Sequence, residues 1–415
     1  MKLAPAALAI ALLAAAQRGT SAEAASDARL SADPYVSIET GADATRTFAA
    51  LIARLETDAF RPLEGRRFPG VAARSVRTVL FDLPVAWWLG VLEHEAFGHG
   101  GRAREVGARA GFHMGSPWGG RDSYASFSTG GLAIDDVLRI YAGGTESNSR
   151  TATLAERDLV AGRPMSSLEL LLVAANRWVD YAYVVRTTPD PARDPAGFYG
   201  EWAGGGDVAN YLGRLIERDT GDPGIAPGGS SQPVRDNYRR LRRQAVWSVL
   251  DPGLWLSLWT AGRAVLDGDA FPRVPLPSFR GRALLPLLSA DWLPDGEVAS
   301  LEIVLGPARG VPPVDAAWSS LVARAGAGPR GRIVAAGAAT DRLLALDGLK
   351  IGGEIEAWRQ PTSGVGGGVR ARFTALGGRM RGVFAEAGVK TAGHWPGRPT
   401  GTGAFASLGV SIPLP

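Results

Sequence analysis

Apolar and polar positions follow two different periods along this chain. From about residue 25 to residue 265, apolar residues recur three and four apart, the period of an amphipathic helix. In "DATRTFAALIARLET", Phe48, Leu51, Ile52 and Leu55 share one stripe, with Asp43 placed to cap the first turn. "VRTVLFDLPVAWWLGVL" is apolar almost throughout. Asp82 and Pro84 interrupt it, which predicts a buried core helix rather than a membrane span. "SSLELLLVAANRWVDYAYVV" is a second apolar helix, in which Glu169, Arg177 and Asp180 argue against contact with lipid. "RRQAVWSVL" and "PGLWLSLWTAGRAVL" form a helical pair broken at Asp251-Pro252-Gly253. Loops rich in Gly, Ser and Pro separate these helices at 115–131 and 219–233.

After the Pro-rich stretch "DGDAFPRVPLPS" at 267–278 the period becomes two. In "EVASLEIVLG", Leu301, Ile303 and Leu305 alternate with Ser300, Glu302 and Val304. "LKIGGEIEAW", "GVRARFTAL" and "RGVFAEAGVK" alternate in the same way, and about eight such strands fit between Ala283 and Ile412. One face is apolar, while the other carries Glu302, Arg324, Glu354, Arg370, Glu386 and Lys390. The segment resembles a small bacterial outer-membrane β-barrel, whose outside meets lipid and whose narrow inside is filled by paired charges. Trp292, Trp318, Trp358 and Trp395 fall near strand ends, where an aromatic girdle would stand. Two features depart from that pattern: the last residues are "SIPLP", with no terminal aromatic, and Pro286 sits inside the first strand. A soluble β-sandwich would show the same alternation with its faces reversed. The expected fold class is therefore α+β in two domains. A mostly helical domain at 25–266 precedes a linker at 267–278 and an antiparallel β domain at 279–415.

Composition narrows the compartment. The chain has 415 residues, 46% of them hydrophobic and 21% charged, which suits a folded protein with a sizeable core. Residues 1–24 read as a secretory signal: Lys2, then the apolar "LAPAALAIALLAAA", then Ala22-Glu23-Ala24 as an A-x-A cleavage site. A retained membrane anchor is the alternative. An exported protein of a Gram-negative-type bacterium is expected, in the outer membrane or the periplasm. There is no cysteine, so stability must come from the core, a metal or a membrane, and any zinc site must use His, Asp or Glu. The formal charge is +4, and the one basic run, "NYRRLRRQ" at 237–244, reads as a solvated helix face. No nucleic-acid partner is expected.

The chemistry concentrates in "EHEAFGHGG" at 93–101, which holds two of the four histidines. His94 and His99 are five apart, so on a regular helix they would diverge by about 140° and could not share an ion. One π-bulge absorbs the extra residue and realigns them, and Gly98 makes that distortion cheaper. The competing reading is a helix C-terminus, with "GHGG" as the stop signal.

"HEAFGH" resembles the H-E-x-x-G-H motif of the dipeptidyl peptidase III group of gluzin zinc peptidases. That resemblance implies Zn2+ held by His94 and His99, Glu95 as the base that activates water, and a downstream glutamate as third ligand. Glu105, Glu146, Glu156 and Glu169 are the candidates. Glu146 in "IYAGGTESNSR" is chosen, because Ala142, Gly143 and Gly144 let its backbone approach the metal helix closely. The family's second motif has adjacent acidic residues, whereas Glu146 stands alone. Tyr141, His113 and Arg150 are candidates to stabilise a transition-state oxyanion; packing, an idle loop histidine and an ion pair are their ordinary readings. The expected protein is an exported zinc metallopeptidase acting on peptide or protein substrates. The alternative is a non-enzymatic outer-membrane structural or transport protein whose helical part is a plug or partner-binding module.

Overall fold

The structure, a computed structural model, describes residues 27–60, 68–119, 123–308, 317–346, 348–377, 380–399 and 401–413. The segment read as a signal lies outside them. Helices occupy the N-terminal part: α1 (Ile38–Phe60), α2 (Phe68–Glu105), α3 (Ile134–Val160), α4 (Ser167–Ala182), α5 (Pro195–Gly204), α6 (Asp207–Thr220), α7 (Gln232–Leu250) and α8 (Pro252–Asp267). α1 begins five residues before Asp43. Asp33 holds its start, accepting hydrogen bonds from the Ser37 and Thr40 hydroxyls at 2.6 and 2.5 Å, while Asp43 pairs with Arg46. α2 runs unbroken for 38 residues. Asp82 and Pro84 do not end it, because a π-helical turn at Thr78–Asp82 takes up the irregularity. A second π-helical turn spans Glu93–His99, and a third, Tyr183–Thr187, extends α4.

The C-terminal part is a large antiparallel sheet. Its eight long strands form a meander: β7 (Arg282–Leu293), β8 (Gly296–Ala308), β9 (Ser319–Gly328), β10 (Gly331–Leu346), β11 (Leu349–Gln360), β12 (Gly364–Gly377), β13 (Met380–Lys390) and β14 (Gly403–Pro413). Short β6 (Ser278–Phe279) extends the β7 edge. β1 (Asp27–Ala32), from the far end of the chain, pairs with β14 from Asp27↔Pro413 to Ala32↔Leu408. The sheet has ten strands and is open, for β1 and β6 do not pair with each other. Two small hairpins lie among the helices: β2 (Ala110–His113) with β3 (Tyr124–Phe127), and β4 (Ile225–Ala226) with β5 (Gly229–Ser230).

The sheet curls around the helices with its charged face inward. Glu302, Glu354, Glu356 and Glu386 are buried, while Leu301, Leu321, Ile355, Val383 and Leu408 on the other face are exposed. The buried charges are paired, as burial requires. Arg157 of α3 meets Glu302 at 2.7 Å, and Arg370 bridges Glu354 and Glu386 at 2.8 Å each. Arg324 pairs with Glu356 across the same face. Trp292, Trp318, Trp358 and Trp395 are also buried, so they do not form an outward girdle. Trp318 instead stacks under the Arg157 guanidinium, 4.7 Å from ring centre to charge.

Candidate metal centre

α2 and α3 cross at a contact made of glycines. A Cβ on Gly98 would lie 2.6 Å from the Gly143 carbonyl oxygen and 2.6 Å from Gly144 Cα. A Cβ on Gly144 would land on the His94 ring. These two residues have no side chain because the helices touch backbone to backbone. That approach fixes the π-helical turn Glu93–His99 against α3, and the turn brings both imidazoles to one side with ring centroids 4.8 Å apart.

The other side of the site comes from α6. Asp207 stands in its first turn, directly after Gly204-Gly205-Gly206. Its Oδ2 lies 3.3 Å from His94 Nε2 and 3.1 Å from His99 Nε2. A tetrahedral ion about 2.05 Å from each ligand spaces its ligands about 3.3 Å apart. His94, His99 and Asp207 form a group able to hold a metal ion, with their ligand atoms within 4.8 Å of one another.

The surroundings fix which nitrogens face inward. Asn148 donates its amide protons to Gly90 O at 2.9 Å and to Asn176 Oδ1 at 2.6 Å. Its own Oδ1 must therefore accept, and it accepts from His94 Nδ1 at 2.7 Å. His99 Nδ1 donates to the Ile140 carbonyl at 2.6 Å. Each ring has thus spent its proton outward, and both Nε2 lone pairs converge on a carboxylate. Acceptors this close repel unless a cation or a proton sits between them. Burial alone would lower His99, but Asp207 overrules this and raises the imidazole to about 9, so the site draws positive charge to this point. Outer contacts of this kind orient the histidines of metal sites generally.

Glu95 flanks the group. It is buried, and its Oε2 accepts the Ala125 N–H of β3 at 2.7 Å. Tyr183, on the π-turn after α4, lies against Asp207 and Glu95, with its ring 5.3 Å from that of His94. The Asp207 charge, and then burial, push its phenol well above the ordinary value, so it stays a proton donor. Tyr141 sits in the wall, edge-on to Phe127 at 5.4 Å, with its phenol raised to about 12 by burial and then by Asp207. His113 lies on hairpin β2–β3, stacked on Tyr124 at 5.4 Å.

Glu146 and Arg150 lie elsewhere. Glu146, expected as third ligand, faces the opposite side of α3. There it binds Arg102 at 3.0 Å, accepts the Gly397 N–H at 2.7 Å and lies 3.3 Å from His394. Burial alone would raise its carboxyl, but Arg102 and His394 overrule this and hold it at about 2. Arg150 pairs with Glu39. Sequence reasoning missed Asp207 and Tyr183. An acid in the first turn of a helix ordinarily serves the helix end, and only the three glycines before Asp207 hint at a crowded approach. No known protein family, curated protein or solved structure matches this chain.

Proposed function

We propose that the protein is an exported zinc-dependent peptidase whose C-terminal sheet lies in an outer membrane. The observation that carries the reading is the convergence of His94 Nε2, His99 Nε2 and Asp207 Oδ2, with both Nδ1 protons turned away. Two imidazoles and one carboxylate are the donor set of a catalytic zinc, which keeps a fourth position open. Zinc held there supplies a polarised carbonyl and an acidified water. Glu95, fixed through one oxygen by Ala125 N–H, has its second oxygen to take the water's proton and pass it to the leaving amine. Tyr183 donates to the oxyanion that develops on the scissile carbonyl.

The membrane part of the reading rests on the inverted polarity of the sheet, with ion pairs inside and Leu, Ile and Val outside. Metal analysis of the purified protein is the test. One zinc per chain is expected, lost in Asp207→Asn and in His94→Ala. Glu95→Gln should keep the zinc and lose hydrolysis of peptide substrates. A wild type without stoichiometric zinc removes the metal site. A Glu95→Gln protein with full hydrolytic activity removes Glu95 as the base, and a wild type that holds zinc but hydrolyses no peptide returns the molecule to a structural or transport role.

A further inference from the structure

The open sheet leaves part of a wall unbuilt, and helices stand in the gap. α7 and α8 pack on β7 at one edge, while α1 packs on β1 at the other. α8 and α2 each pack on α4, and Arg74 Nε of α2 donates to Val265 O of α8 at 2.8 Å.

These helices share the polarity of the sheet. Between Val76 and Trp87, every exposed residue of α2 is apolar: Val76, Val79, Leu80, Leu83 and Trp87. They fall on one stripe at helical spacing. On α8, Trp255, Leu258, Trp259 and Leu266 are exposed, with Arg263, paired to Asp267, the one charged residue exposed beside them, while Ser257 and Thr260 are buried. On α4, Trp178 is exposed, while Asn176, Arg177 and Asp180 are buried. A water-soluble bundle would place these the other way round. α2 is also long and apolar enough to cross a membrane. Its apolar composition predicts burial equally well in a protein core or in lipid. The exposed stripe, rather than the composition, separates the two.

One occupant fits a surface of this kind. A second copy or a soluble partner would cover one patch, whereas the apolar face runs from the convex sheet, past the half-buried Leu284, Pro286 and Leu288 of β7, to α8, α4 and α2. Only a lipid phase covers such a circuit. The circuit also has an edge. On α7, Val246, Trp247 and Leu250 are exposed and Ser248 is buried, but Arg239 and Arg243 before them are exposed cations. The Tyr238 hydroxyl donates to Val184 O and Thr188 O at 3.2 Å each, and Ser248 meets Asp180 at 3.3 Å. The basic turn of α7 is therefore level with the π-turn that carries Tyr183, and the apolar turn is level with the body of α4.

We propose that the outward faces of α2, α4, α7 and α8 lie in the same bilayer as the convex face of the sheet, completing in helix the wall the sheet leaves open. The metal centre then sits where that bilayer meets water, and its substrates are amides carried by the membrane itself. The substrate clause rests on the peptidase reading; the lipid clause does not.

The chain has no cysteine, so single labels are direct. Leu80→Cys, Trp259→Cys, Leu321→Cys and Arg239→Cys, made in the full chain, carry a nitroxide after reconstitution into phosphatidylcholine vesicles. All four positions are exposed, so the fold should be unaffected; an unchanged circular dichroism spectrum confirms this for each variant. Labels at 80, 259 and 321 should relax more with oxygen than with a water-soluble nickel chelate, and the label at 239 should do the reverse. If 321 reads as lipid while 80 and 259 read as water, the helices stand outside the bilayer and the inference fails. If 80 and 259 are shielded from both reagents, another protein surface covers them and lipid is the wrong occupant. If 321 also reads as water, the membrane reading falls entirely. None of these outcomes depends on zinc or turnover, so the peptidase reading stands or falls separately.

Discussion

Asn148 accepts the Nδ1 proton of His94 at 2.7 Å, and this contact turns the bare Nε2 of His94 toward Asp207. Asn148 cannot rotate to donate instead, because its amide protons are held by Gly90 O and Asn176 Oδ1. The tautomer of His94 is thus set through Asn148 by Asn176 on α4. Replacing Asn148 by Leu frees His94 to carry its proton on either nitrogen. Zinc affinity should fall about 10- to 100-fold, as it does when such outer contacts are removed. Competition with a chromophoric chelator measures this, and an unchanged zinc affinity would show that the contact does not orient the ring.

Glu146 and Asp207 should respond in opposite ways when each is made neutral. Asp207→Asn should abolish zinc binding. Glu146→Gln should keep zinc and lose stability, because Arg102 is left as a buried charge with one partner fewer. Breaking a buried pair in this way costs about 3–5 kcal/mol. Zinc content and denaturation midpoint, measured on both proteins, separate the two roles.

The same residue predicts an acid limit. In the folded protein the Glu146 carboxyl is held at about 2, below its ordinary value of 4.5. Its contribution to stability is therefore complete above about pH 4.5 and is lost as pH falls through about 2. Glu146→Gln should flatten the acid side of the stability–pH curve in that window. An equally steep acid limb in the variant would place the acid sensitivity elsewhere.

Much of this arrangement could be read from the chain, and the exceptions have physical causes. A spacing of five between His94 and His99 admits one shared ion only with an extra residue in the turn, and the π-helical turn Glu93–His99 is there. The period of two between Ala283 and Ile412 predicted eight strands, and β7 to β14 are eight. What a period cannot tell is which face a strand-end tryptophan takes, and all four strand-end tryptophans turned inward. Nor does it show what surrounds an all-apolar helix: apolar composition predicts a core helix, and yet the stripe from Val76 to Trp87 is exposed. Asp207 lies 108 residues after His99 and reaches it only through the packing of α6 on α3.

Gly98 also has a different role from the one its position in the motif suggests. A weak helix former inside a π-turn would tolerate alanine with little loss. The structure places the Gly143 carbonyl, Gly144 Cα and the Ser147 hydroxyl within 2.6–2.7 Å of where the new Cβ would stand. Two of these are backbone and cannot swing aside. Gly98→Ala should therefore destabilise the protein by at least about 1–3 kcal/mol, the cost of overpacking, and weaken zinc binding by moving α3 away from α2. A denaturation midpoint equal to wild type would mean that the helices part easily at this crossing.

Tyr183 is where the rate of the reaction should be decided. Its phenol faces the same group as Asp207 and Glu95, and the Asp207 charge keeps it protonated to well above its ordinary range. It remains a proton donor at neutral pH and in the structure is hydrogen-bonded to Asp207. A donor aimed at a developing oxyanion contributes to the transition state and little to the ground state. Tyr183→Phe should keep one zinc per chain and an unchanged KM, while kcat falls about 10²- to 10³-fold. Tyr141→Phe is the control. That phenol belongs to the wall against Phe127, so its loss should leave kcat nearly intact. If Tyr183→Phe lowers zinc content instead of kcat, the phenol holds Asp207 in place and the oxyanion must be met by another group.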